Sequence, residues 1–150
     1  MWEVLVYNGK LIITPSYERV CPLEIKASSD ADCYVYLKYV RAPSSTTVDS
    51  EVLSGKSSPY ESNMAFYVQS GETVEVDVPI GVYKLYYATG DVFYGKKDLF
   101  GSTTNCYTSI ELLEFAADNT HYKGCSLTLY KVVNGNYSTN SISEGSFPTD

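Results

Sequence analysis

Residues 78–104 read VPIGVYKLYYATGDVFYGKKDLFGSTT, the densest cluster of aromatic side chains in the chain. Tyr83, Leu85 and Tyr87 alternate with Val82, Lys84, Tyr86 and Ala88. That period of two predicts a strand buried mainly on one side. Thr89-Gly90-Asp91 then turns the chain, because glycine accepts a positive φ without steric cost. Val92, Phe93 and Tyr94 are expected to return it as a second strand, and Gly95 and Gly101 bound the loop KKDLF.

The same alternation recurs on both sides of this segment. Trp2 to Val6 and Leu11 to Thr14 flank Tyr7-Asn8-Gly9-Lys10, and Asn-Gly between apolar runs predicts a hairpin with a type I′ turn. Pro15 ends that strand, since it has no N–H for a ladder. Cys21, Leu23 and Ile25 alternate with Pro22, Glu24 and Lys26, and the polar tract 28–32 leads into Cys33 to Val40, predicting a second hairpin. Met64 to Val68 and Thr73 to Val78 flank Ser70-Gly71-Glu72, which predicts a third reversal. Beyond the loop, Cys106 to Phe115 reads as a strand, or as one giving way to a brief helical turn between Ile110 and Ala117, an option resting on Glu111-Leu112-Leu113-Glu114. Cys125 to Val133 is a further strand, and Ser141 to Ser143 a short edge strand. Arg41 to Ser62 lacks periodicity and is read either as a binding loop or as a weak edge strand around Val48 to Leu53.

These segments amount to about eight or nine short strands at the ~8–12-residue spacing of sandwiches and barrels. The 150 residues suit one domain, since a chain of that length hides roughly 70% of its unfolded surface. The expected fold is all-β, a single antiparallel β-sandwich of immunoglobulin-like type spanning 1–150, with a small β-barrel as the alternative. Fifteen tyrosines among many Val, Ile and Thr favour strands over helices.

Charge narrows the partners. The formal net charge is −7 and the basic side chains form no cluster beyond Lys96-Lys97, so a phosphate backbone finds no cationic surface and nucleic acid is not expected. The N-terminal apolar runs are broken by Glu3, Asn8, Gly9 and Lys10, which fits neither a signal peptide nor a membrane span. A strand directly after Met1 fits a cytoplasmic chain or one from which an export signal or a neighbouring domain has been removed. Asn136-Tyr137-Ser138 matches the glycosylation pattern.

The combination Pro79-x-Gly81-x-Tyr83, Tyr87-Ala88-Thr89-Gly90, Tyr94-Gly95 and Leu99-Phe100-Gly101, with Gly71-Glu72-Thr73-Val74 upstream, resembles a pattern found in small bacterial β-rich proteins of uncharacterised function. The resemblance covers residues 71–104. It implies a bacterial setting and an interaction module, and it brings no catalytic residues. Residues 41–62 and the segment before Pro15 lie outside it.

Among candidate sites the aromatic side chains lead. Phe93, Tyr94 and Phe100 lie around the glycine-bounded loop, and Tyr86, like Tyr34 and Tyr36, shares its strand phase with a lysine and is expected to face outward. Amphipathic rings on a sheet surface suit a protein partner or a sugar, whereas rings under a second layer simply complete a core. Cys21, Cys33 and Cys125 fall on apolar faces, which favours buried thiols; disulfides among these and Cys106 stay open, and with no Cys-x-x-Cys spacing no metal site is expected. His121 stands alone in a polar turn, without HExxH or Gly-x-Ser-x-Gly. Asp91 with Asp98, or Glu111 with Glu114, could pair as glycosidase carboxylates, and Asp30 with Asp32 could hold calcium, but turns and solvated faces account for them equally.

The expectation is therefore a non-catalytic binding or assembly module without a cofactor, acting through protein–protein contacts that include self-association. A carbohydrate-binding module using the aromatic loop comes second, and a small hydrolase third.

Overall fold

The computed structural model describes residues 2–27, 31–41, 43, 63–109, 111–117, 122–123, 125–129 and 139–148. The weak edge strand considered around Val48 to Leu53, His121 and Asn136-Tyr137-Ser138 lie outside these residues. The described chain is built from strands and two single 3-10 turns, Gly101–Thr103 and Glu144–Ser146. The strands are β1 (Leu11–Ile13), β2 (Cys21–Ala27), β3 (Asp32–Arg41), β4 (Met64–Val68), β5 (Thr73–Val78), β6 (Gly81–Gly90), β7 (Asn105–Ser109), β8 (Leu113–Ala117), β9 (Tyr122–Lys123), β10 (Cys125–Leu129) and β11 (Thr139–Ile142). The helical turn considered at 111–114 is absent: β8 occupies its second half.

The fold is an all-β sandwich. The larger sheet runs β1-β4-β3-β6-β7-β11, with β8 and β9 branching from the Gly81 end of β6; the smaller runs β10-β2-β5. Nearly every pairing is antiparallel, and β10 lies parallel to β2. Sheets of eight and three strands, one containing a parallel pair, leave the immunoglobulin-like subtype without support. The core between the sheets takes Cys21, Leu23 and Ile25 from β2, Val35 and Leu37 from β3, Phe66 from β4, and Tyr83, Leu85 and Tyr87 from β6. The alternation expected for β2 and β6 therefore selects the faces that meet.

Two expected hairpins are instead arches. β2 lies in the small sheet and β3 in the large one, while β4 and β5 are divided the opposite way. Consequently β2 pairs with β5, Cys21 opposite Val78, and β3 pairs with β4, Cys33 opposite Val68. Gly71, at φ 74°, reverses the chain as expected, but a local turn signal does not specify which sheet receives the next strand. Asp32 ties the arch between β4 and β5 to the start of β3. Its carboxylate accepts the Ser70 N–H at 2.8 Å and the Tyr67 hydroxyl at 2.6 Å.

The expected N-terminal hairpin also differs. Lys10 N–H donates to the Tyr7 carbonyl at 3.0 Å, closing a turn in which Gly9 has φ 89°. Leu99 is the single described non-glycine residue with positive φ, so Asn8 does not supply the second positive φ that type I′ requires, and the turn has the type II signature. β1 pairs with β4, while the segment before the turn runs beside the central loop, with Val4 N–H donating to the Phe93 carbonyl at 2.8 Å. Val92 to Tyr94 form no returning strand, and the antiparallel neighbour of β6 on that side is β7, Tyr87 opposite Tyr107.

The outer face of the large sheet carries a second core. Tyr34, Tyr36, Ala65, Tyr67, Ala88 and Cys106 point into it, and Phe93, Leu99, Phe100 and Phe147 cover them from outside. The phase assigned to Tyr34, Tyr36 and Tyr86 is correct, but the expectation that they face solvent is overturned for the first two, which are fully buried. Three segments make that cover: Val4 and Val6 of the N-terminal run, the loop after β6, and the C-terminal turn that inserts Phe147. It gives out near Lys38, exposed, and Lys84, half-exposed, which sit opposite each other on β3 and β6.

Candidate functional site

The loop of residues 91–104 is closed by its own backbone. Tyr94 N–H donates to the Leu99 carbonyl and Leu99 N–H to the Gly95 carbonyl, both at 2.7 Å. Gly95, Leu99 and Gly101 supply the positive φ values, 105°, 52° and 67°, that fold the segment this tightly. Thr104 fastens the far side: its hydroxyl donates to the Gly101 carbonyl at 2.7 Å and accepts the Phe100 N–H at 3.0 Å. A loop that meets so many of its own backbone groups is a rigid plug.

The plug is seated by rings. Phe93 stacks on Tyr34 with centroids 5.2 Å apart and meets Tyr67 at 5.2 Å; Phe100 meets Tyr67 at 6.2 Å and Phe93 at 5.5 Å. Phe93 and Phe100 are each 2% exposed, so these two expected surface contacts are interior anchors instead. Tyr86 is half-buried, packed edge-on against Tyr36 and Phe147, with Lys84 Nζ 5.5 Å from its ring centre. Tyr94 is half-buried and lines an open cleft of about 380 Å³, which Asp91, Val92, Ser102 and Thr103 line as well and Phe100 floors. Of the four aromatic residues expected to bind, the structure thus brings Tyr94 and Phe100 to one cleft and leaves Tyr86 and Phe93 out of its lining.

A second surface was not singled out in the sequence. Trp2, Leu5 and Tyr7 are 90%, 86% and 64% exposed, whereas Val4 and Val6 between them pack against the second core. The segment is held at several points. Val4 is bonded to Phe93, Lys10 Nζ donates to the Leu5 carbonyl at 2.7 Å, and Asn8 donates to the Thr73 carbonyl at 3.1 Å while accepting the Gln69 N–H at 2.9 Å. The result is a run of exposed apolar side chains, the ridge, in which Leu5 and Tyr7 stand on a backbone fixed between Val4 and Asn8 and Trp2 precedes the held part. Its signal is in WEVLVY: a one-faced strand would be polar at every second position, and Leu5 and Tyr7 are not.

The remaining candidates are placed as follows. Asp91 is the one carboxylate lining the cleft; Asp98 is exposed and not part of that lining. Asp32, considered for calcium, is engaged by Tyr67 and Ser70, and Asp30 lies outside the described residues. Cys33 and Cys106 are free buried thiols, and the Cys21 thiol is buried against the Ala116 carbonyl at 3.5 Å. Burial, reinforced by Asp32, pushes the Cys33 thiol up to about 12, and burial with Glu144 pushes Cys106 up to about 11. Such thiols are protonated at neutral pH and poor nucleophiles or metal ligands. Among the described residues no group of His, Cys, Asp and Glu could hold a metal ion, and no helix is long and apolar enough to cross a membrane. Compared with protein-family models, curated proteins and solved structures, the chain matches none.

Proposed function

We propose that this sandwich is a non-catalytic binding or assembly module acting through protein–protein contacts. The observation that carries the reading is the ridge of Trp2, Leu5 and Tyr7. Leu5 and Tyr7 on the held backbone, with Trp2 just before it, are largely in water, an unfavourable state in isolation and a good anchor in a complex. Trp and Tyr are enriched among the residues that dominate binding energy, and a segment already bonded in place loses little entropy on docking. The simplest occupant is a second copy of the chain, whose own ridge is self-complementary in a two-fold arrangement.

The net charge of −7 opposes such an encounter at low ionic strength. Light scattering against protein concentration is therefore expected to show a mass that rises towards the dimer, and to do so at lower concentration in about 0.5 M salt than in about 0.02 M. The variant Trp2→Ser/Leu5→Ser/Tyr7→Ser is expected to stay monomeric while keeping its melting temperature. A wild-type chain that remains monomeric in both salts, or a variant that assembles as well as wild type, contradicts self-assembly through the ridge.

A further inference from the structure

We infer that the cleft beside the plug loop is a binding site for a neutral saccharide, on a surface separate from the ridge. Its volume of about 380 Å³ falls at the lower end of the roughly 300–1,000 Å³ usual for small-molecule sites. Its walls are two-sided in chemistry. Val92 and Tyr94 supply apolar surface over the buried Phe100, and Asp91, Ser102 and Thr103 supply polar groups at the rim.

The state of those polar groups matters more than their presence. Thr103 Oγ1 donates to the Phe100 carbonyl at 3.0 Å and can still accept a hydrogen bond. Asp91, the Tyr94 hydroxyl and Ser102 have no hydrogen-bond partner among the described residues, although the loop around them satisfies its own backbone so thoroughly. The cleft therefore offers a carboxylate that only accepts, hydroxyls that donate and accept, and one aromatic side chain, Tyr94. A sugar ring presents the matching set: hydroxyl donors for the carboxylate, hydroxyl oxygens for Tyr94 and Ser102, and a C–H face for an aromatic ring. No lysine or arginine lines the cleft, although Lys96 and Lys97 stand further along the same loop, and Asp91 in the wall repels anions, so phosphorylated and uronic sugars are selected against. The backbone bonds from Tyr94 to Leu99 and from Leu99 to Gly95 hold the walls before a ligand arrives.

The test is titration calorimetry and ligand-observed NMR with a panel of neutral hexoses, pentoses, N-acetylhexosamines and their disaccharides, with glucuronate and glucose 6-phosphate as charged probes. At least one neutral sugar is expected to bind in the range of tens of micromolar to a few millimolar, at least tenfold more tightly than either charged probe. Asp91→Asn and Tyr94→Ala are each expected to weaken binding about tenfold or more, while Tyr86→Ala leaves it unchanged. Both cleft variants change side chains outside the buried set, and matching melting temperatures would confirm that they fold. Absence of binding by every neutral sugar at tens of millimolar, equal binding of the charged probes, or undiminished binding by both cleft variants overturns the inference. The ridge variant Trp2→Ser/Leu5→Ser/Tyr7→Ser should bind sugar normally, so the two surfaces succeed or fail separately.

Discussion

Two buried tyrosines on adjacent strands show how differently one hydroxyl can be treated. Tyr67 donates its O–H to Asp32 at 2.6 Å, whereas the buried Tyr34 hydroxyl has no partner among the described residues. A buried polar atom without a partner keeps its desolvation penalty, and a hydrogen bond to a charged group is among the stronger ones. Urea denaturation is therefore expected to find Tyr34→Phe neutral or up to about 1 kcal/mol more stable than wild type, and Tyr67→Phe destabilised by roughly 1.5–3 kcal/mol. Equal losses for both would contradict this account of the second core. Gly90 and Gly81 make a similar contrast. A Cβ on Gly90 would meet Phe100 Cβ at 2.3 Å, an atom fixed to the backbone of a buried residue; one on Gly81 would meet the ring of half-buried Tyr39 at 2.7 Å. The Tyr39 ring can swing aside, leaving a tight 3.1 Å approach to the buried Tyr83 ring, and the Phe100 backbone cannot, so Gly90→Ala is expected to cost about 2–3 kcal/mol and Gly81→Ala less, about 1 kcal/mol, by the same measurement.

At the level of elements, the cover on the large sheet is assembled from separate parts, and Phe147 is the part most easily tested. Its ring lies 6.0 Å from Tyr34, 6.5 Å from Tyr36 and 5.9 Å from Tyr86, delivered by the short turn after β11. Phe147→Ala is expected to cost roughly 3 kcal/mol, within the usual range for a buried phenylalanine, and to raise hydrogen-exchange rates along β3 and β7 more than along β2. Loss spread evenly over both sheets would contradict a separate outer core. Most strands are legible: β2, β5 and β6 follow from alternation, and β10 and β11 from short runs, but Cys106 to Phe115, expected as one strand, is divided between β7 and β8, and β9 lies in a stretch expected as a polar connection. Their partners are not. A turn such as 70–72 looks the same in sequence whether the chain folds back beside itself or crosses to the facing sheet. The outer core was half-legible, because CYVYL and MAFYV are apolar on both faces, the signature of strands covered twice. A lysine two residues further along, at Lys38, suggests an exposed face, but it marks the place where the cover stops. The aromatic loop was found as a unit, yet which of its rings anchor it and which line the cleft depends on the backbone turns at Gly95, Leu99 and Gly101.

The described residues form a three-layer arrangement of small sheet, large sheet and irregular cover, and its buried acids link it to pH. Native Cys33 and Cys106 hold their protons to about 12 and 11, whereas an unfolded chain releases them near 9. Burial raises Tyr34 and Tyr67 in the same sense. Between those values the unfolded state binds fewer protons than the native one, so stability is complete below about pH 9 and falls as pH rises towards 12. Thermal melts are expected to move down by several degrees between about pH 8 and pH 10.5, and both thiols should resist labelling at pH 8 until the chain is denatured. The most direct test of the central claim, that a fixed N-terminal segment caps the outer core while turning an apolar ridge to solvent for a protein partner, uses the single tryptophan, Trp2. Its emission and acrylamide quenching should be those of a solvated indole in dilute protein, and should shift to the blue and become protected as concentration drives assembly. A blue, poorly quenched Trp2 in the dilute monomer would contradict the ridge, and a Trp2 equally quenchable at every concentration would contradict its use.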